Sequence, residues 1–176
     1  VPNPRCRCLF ADGLGLGLEL IKSSVPVFRE CEVEGSHQAS VAVRAGARPL
    51  MEGCHIRNGK KAGVFWSEGG AGRWVDCHLY GHAEANSIVE GLSNPTLEGC
   101  QIYSAKEEGM IVTKQAAPRL ERCTISKNAH AGMLVLSEAN PTVESCTFSN
   151  GLKAGVEVKD NGFGHFVSCI MNWNTA

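Results

Sequence analysis

The side chains best suited to chemistry recur at one spacing. His55-Ile56-Arg57, His78-Leu79-Tyr80 and Gln101-Ile102-Tyr103 are tripeptides 23 residues apart, each with polar or aromatic groups on both sides of an aliphatic residue. Imidazole, guanidinium and phenol in such a pattern suit a sugar polymer, because Tyr stacks on a ring and Arg reads a carboxylate. His78 with Tyr80 could also supply an acid–base pair for β-elimination from a uronate. Asp is sparse around them, whereas a calcium-dependent lyase needs clustered carboxylates. His55, Arg57, His78, Tyr80 and Tyr103 are therefore candidates for glycan binding. An ordinary solvated strand face is the alternative.

Two more sets share the interval. Glu19, Ala42, Phe65, Ile88, Ile111, Leu134 and Glu157 form one column, which is apolar from Ala42 to Leu134 and extended by Leu136. It alternates with inward-facing neighbours, so it should face out, and an outward apolar stripe marks a contact. The occupant is either a protein partner or another segment of the full chain. Glu98, Glu121 and Glu144 form the other column. Carboxylates side by side on neighbouring strands repel, and Arg119 and Arg122 are close enough in sequence to neutralise them. Cys6-x-Cys8 lacks a second ligand pair, so zinc is not expected. Gly13-Leu-Gly-Leu-Gly lacks the spacing of a phosphate loop. No catalytic set, metal or cofactor is expected. The leading expectation is a non-catalytic scaffold that presents the apolar stripe to a protein or larger complex, with the glycan-binding or polysaccharide-acting face as the alternative.

The elements that position these groups follow from eight cysteines: Cys8, Cys31, Cys54, Cys77, Cys100, Cys123, Cys146 and Cys169, each 23 residues after the last. A fixed period of this size means a solenoid. Counting from each cysteine, position −3 is apolar (Phe28, Met51, Trp74, Leu97, Leu120, Val143, Phe166). Position +2 is apolar as well, from Phe10 to Met171, as are +10, apart from Ser87, and +12, where Val dominates. Period-two alternation around the cysteine and again at +8 to +12 reads as short half-buried strands. Gly or another small residue at +9 suggests close packing or an unusual backbone angle. Turn residues occupy +4 to +7 and +14 to +17. Three strands and three corners per coil predict an all-β, right-handed parallel β-helix of about seven coils, roughly 34 Å long at a strand spacing of about 4.8 Å, with the cysteines stacked inside. A leucine-rich-repeat horseshoe shares the period but needs a different strand signature, and Pro recurs where its outer helix would run.

The chain of 176 residues suits a single domain over 1–176. A net charge of −1 with interspersed signs gives no electrostatic footprint for nucleic acid. No apolar run is long enough to span a bilayer as a helix. The chain starts with Val1, carries no signal-peptide pattern, and stops part-way through a coil at Ala176. The expectation is a section of a longer chain or assembly. Equivalent cysteines on parallel strands point the same way, so they should remain free thiols packed as small hydrophobes. That favours a reducing intracellular compartment.

The coil pattern is Pro-x-Leu-Glu-x-Cys-x-Ile, a Gly/Asn/Lys turn, then Ala-Gly-Val-x-Val. It is clearest from Arg48 to Gly72 and is repeated over Pro118 to Val135 and Pro141 to Val158. It resembles the parallel β-helix repeats of carbohydrate-binding proteins and sugar hydrolases, and within them is most similar to the repeat arrays of the F-box-only proteins. The resemblance implies the fold. For function it is broad, since such repeats occur in lyases, epimerases, copper-maturation proteins and ubiquitin-ligase receptors. No F-box is found in these residues, and the Asp-Pro-His pattern of alginate epimerases is missing.

Overall fold

In the computed structural model, which describes residues 8–175, the period becomes three parallel sheets. Sheet A has eight strands, and sheets B and C have seven each. Every strand is three residues long. Sheet A begins at Leu9–Ala11 and ends at Ile170–Asn172; it takes the residues just after each cysteine. Sheet B runs from Leu18–Leu20 to Val156–Val158, and sheet C from Val27–Arg29 to His165–Val167. All pairing is parallel and without slip, so each residue lies beside its equivalent in the next coil: His78 pairs with His55 on one side and Gln101 on the other. The described residues thus form a right-handed solenoid of about seven turns, about 23 residues apart, with no helix among them. Among the described residues no helix is therefore long and apolar enough to cross a membrane.

The core is built from the predicted columns. Met51, Trp74, Leu97 and Leu120 enter from sheet C, Ile56, Leu79, Ile102 and Ile125 from sheet A, and Val64, Trp66, Met110 and Val112 from sheet B, all at 0% exposure. Cys31, Cys54, Cys77, Cys100, Cys123 and Cys146 are buried free thiols, while Cys8 is exposed and Cys169 half-buried. Each of the six buried thiols finds a carbonyl. Cys77 Sγ donates to Met51 O at 3.4 Å, and Cys100 Sγ to Trp74 O at 3.3 Å. Cys6 lies outside the described residues.

The corners divide two tasks that the sequence left together. The glycines at +9 provide close approach. A Cβ on Gly63 would lie 2.2 Å from Asn86 O, and one on Gly132 would lie 2.5 Å from Gly155 O, while neither glycine has a positive φ. The left-handed backbone falls elsewhere, mostly on non-glycine residues. Asp76 (φ 50°) and Arg122 (φ 51°) turn the chain from sheet C to sheet A, and Asn58 (φ 55°) and Ser104 (φ 58°) turn it out of sheet A. Such φ values disfavour L-residues other than Asn and Asp. They are held because each corner's backbone groups bond to the next coil, as in Asp76 N to Glu98 O at 2.9 Å.

Candidate functional site

The outer face of sheet A gathers the five candidate glycan-binding residues. Successive residues of a strand point to opposite sides, so with Ile56, Leu79 and Ile102 inside, their flanking residues face out. Zero slip then stacks like on like. The rings of His55 and His78 lie with centroids 4.6 Å apart and planes 7° from parallel. Tyr80 and Tyr103 stack at 4.8 Å and 5°. The two stacks meet edge to face, His55 to Tyr80 at 6.2 Å and His78 to Tyr103 at 6.1 Å. The result is an aromatic block three coils long.

Its surroundings differ at the two ends. On the N-terminal side, Arg57 donates to Glu32 Oε2 at 3.2 Å and lies 2.9 Å from Glu34 Oε2. The guanidinium expected to read a ligand carboxylate is already held by two of the protein's own. On the C-terminal side, Tyr103 pairs with Ser126, and Thr124 pairs with Gln101 and Thr147. Ser126 is too short to cover the second face of Tyr103, which stands as a step above a floor of hydroxyls from Thr124, Ser126, Thr147 and Ser149.

Burial and the stacked His55 hold the His78 imidazole below its ordinary 6.5, against the pull of Asp76. Burial and the neighbouring Tyr80 raise the Tyr103 phenol above 10.0. Both groups are neutral hydrogen-bonding partners at neutral pH. Among the described residues no three His, Cys, Asp or Glu side chains converge to hold a metal ion.

The apolar column lies on the outer face of sheet B. Phe65, Ile88, Ile111 and Leu134 pair in consecutive coils and are half-buried against one another, with Leu136 also half-buried. Ala42 is 2% exposed, so the larger side chains make up the presented surface. On sheet C, Glu98, Glu121 and Glu144 are adjacent and neutralised by arginines. Arg73 grips Glu98 with two bonds of 2.7 and 2.8 Å, Arg119 reaches Glu144 at 2.9 Å, and Arg122 pairs with Glu121. Arg73 is the partner that the sequence reading missed.

A buried polar corner between sheets A and B was also missed. His82, Asn86 and Asn128 are at most 1% exposed. His82 Nδ1 lies 2.7 Å from Asn86 Oδ1. The Asn86 amide donates to Tyr103 O at 2.8 Å and contacts Asn128 Oδ1 at 3.4 Å, which turns its oxygen toward the imidazole and makes Nδ1 the donor. Asn128 Oδ1 also accepts Ala105 N–H at 3.0 Å. The ring fits because the preceding coil has glycines there: a Cβ on Gly59 would lie 3.0 Å from His82 Cδ2. The available signal was His82, Asn128 and Asn174 in one column and Asn86 in another, where the other coils carry Gly, Ser or Ala.

The family described as a right-handed beta helix region matches residues 7–117 and 80–176. This match does not show the finer likeness to the F-box-only arrays. Among solved structures, the periplasmic alginate epimerase AlgG superposes with a TM-score of 0.86 at 11% identity, over 93% of this chain and 44% of that one. The pectate lyase Pel9A gives a TM-score of 0.67 at 12% identity, over 91% of this chain and 51% of that one. The chain spans about half or less of each. At such identities the likeness is one of fold. No curated protein matches.

Proposed function

We propose that this chain, which belongs to the right-handed β-helix family, is a binding solenoid whose sheet A face holds a glycan. The observation that carries this reading is the open face of Tyr103. It ends the Tyr80–Tyr103 stack and stands beside the rows of Thr124, Ser126, Thr147 and Ser149. A pyranose presents an apolar C–H face and a rim of hydroxyls. Stacked on Tyr103, it continues the aromatic column by one rung while its hydroxyls meet those of the floor. The names of the two similar structures, an alginate epimerase and a pectate lyase, support a carbohydrate ligand. The six buried thiols suit a reducing compartment. Titration calorimetry with an oligosaccharide panel tests the reading. Tyr103→Ala should weaken the best ligand by about tenfold, the value of one lost aromatic stack of about 1.4 kcal/mol. Unchanged affinity removes the face from consideration.

A second reading is docking of a protein on the outer face of sheet B. It is favoured by the unbroken row of Phe65, Ile88, Ile111 and Leu134. Ile88→Asp with Ile111→Asp should preserve the circular dichroism of the fold and abolish stoichiometric co-purification of a partner. Loss of the fold in that variant would mean the column faces inward.

A further inference from the structure

We propose that Asn86 and Asn128 are positioning residues for the sheet A face. Buried beneath it, they fix the turn Tyr103-Ser104-Ala105 and so hold Tyr103 ready to receive a sugar ring. This role rests on the glycan-binding reading above.

Each coil leaves sheet A through a turn whose first carbonyl accepts a backbone N–H from the preceding coil. Asn58 N–H reaches Tyr80 O at 3.1 Å, Gly81 N–H reaches Tyr103 O at 3.3 Å and Lys127 N–H reaches Ser149 O at 3.1 Å. Among the described residues, Tyr103 O is the one carbonyl of this set that also accepts a side-chain donor, and the added bond is the shorter: Asn86 Nδ2 lies 2.8 Å away. From the following coil, Asn128 Oδ1 accepts Ala105 N–H at 3.0 Å. The turn at Gly151 has only this second kind of bond, to Asn174 Oδ1 at 3.0 Å. Asn86 Nδ2 and Asn128 Oδ1 lie 3.4 Å apart, so the two side chains meet under the turn. His82 Nδ1, 2.7 Å from Asn86 Oδ1, orients the Asn86 amide so that its donor faces Tyr103 O.

The clamped residue between them is Ser104, whose φ of 58° is a left-handed value that serine does not favour. Bonds on both sides keep that turn from relaxing and carrying the Tyr103 strand end with it. A buried polar network costs desolvation, and this one lies under the coil whose outer residue ends the Tyr80–Tyr103 stack. Asn86 and Asn128 are at most 1% exposed, so they act on a ligand only through Tyr103 and its turn. Ordering the platform before binding removes that cost from association, which corresponds to about three- to tenfold in Kd.

Ser is the test substitution, because the second coil carries Ser36 and Ser40 in these two columns. The whole chain is titrated calorimetrically with hexasaccharides of β-1,4-linked glucose, β-1,4-linked xylose and α-1,4-linked galacturonate, and the tightest is the probe. Asn86→Ser and Asn128→Ser, with circular dichroism unchanged, should each weaken the probe about three- to tenfold. In the Tyr103→Ala background the same substitutions should leave its affinity unchanged, because the side chain they position is gone. Equal losses in both backgrounds, or loss of the fold in both Ser variants, would assign the network to general stability and overturn the positioning role. Full affinity in both variants, with the probe still dependent on Tyr103, would overturn it and leave the glycan reading standing. Amide exchange supplies a readout without ligand: the Ala105 N–H should exchange slowly in the unaltered protein and quickly in Asn128→Ser, and fast exchange in the unaltered protein would contradict the clamp. Binding of no hexasaccharide overturns the glycan reading and the positioning role together.

Discussion

Trp66 and Trp74 test the hydrogen-bond reasoning behind the core. Both are at 0% exposure and they meet edge to face with centroids 5.0 Å apart. They differ in one bond. Trp66 Nε1 donates to Ala71 O at 3.2 Å, whereas Trp74 Nε1 is buried with no acceptor in reach among the described residues. Replacing either by Phe keeps an aromatic pair and removes similar volume, a loss of about 1–2 kcal/mol in transfer and cavity terms. In Trp66→Phe the buried Ala71 carbonyl also loses its donor, which costs a further ~1–3 kcal/mol. In Trp74→Phe an unsatisfied N–H leaves the core, and relief of about the same size offsets the lost packing. Trp66→Phe should therefore destabilise by about 2–5 kcal/mol, and Trp74→Phe should lie near zero. Urea unfolding followed by far-ultraviolet circular dichroism measures both, with an unchanged m-value as the check that the transition is comparable. Trp74→Phe costing as much as Trp66→Phe would refute the reasoning.

The thiols and the buried imidazole make two more predictions. With a thiol reagent, Cys31 to Cys146 of the ladder should stay unlabelled in the native protein, while Cys8 and Cys169 react. The thiol neighbours act unequally: Cys100 draws Cys77 down, but Cys54 and burial outweigh it and push Cys77 up to about 12, whereas the bond from Cys77 draws Cys54 down, so Cys54 is protected by its burial. Labelling of five or more of the described cysteines without denaturant, or disulfides between successive ladder positions, would contradict the inward stack. Burial lowers the His82 pKa below 6.5, against the opposing bond to Asn86. The unfolded chain then takes up a proton that the folded chain refuses. Stability from this group is complete above pH 6.5 and declines as pH falls through the window below it. His82→Ala should flatten that decline in urea midpoints measured across pH; an unaltered slope would assign it to other groups, His78 first among them.

The sequence by itself determined the architecture and the address of nearly every side chain. One uninterrupted interval of 23 residues means zero slip between coils, so any residue's neighbours are those one interval away. That rule alone predicts that His55 stacks on His78, that Tyr80 stacks on Tyr103, and that Phe65, Ile88, Ile111 and Leu134 form one row. Tertiary structure decided whatever depends on reach across columns or on a departure from the repeat. Arg57 belongs to Glu32 and Glu34, and Glu98 to Arg73, because long side chains cross between coils and choose among several acceptors within a few ångströms. His82, Asn86 and Asn128 make a buried network that interrupts two columns of mostly small residues, His82 and Asn128 in the column of Gly13, Ser36, Gly59, Ala105 and Gly151, and Asn86 in that of Gly17, Ser40 and Gly63, so no constant residue announces it. Left-handed corners at Arg122 and Ser145 were hidden for a related reason: the coil imposes the φ, through bonds to the next coil, on residues whose own preferences oppose it. Translation along the rod is written in the spacing; hydrogen bonding across it is settled only by distances in the folded chain.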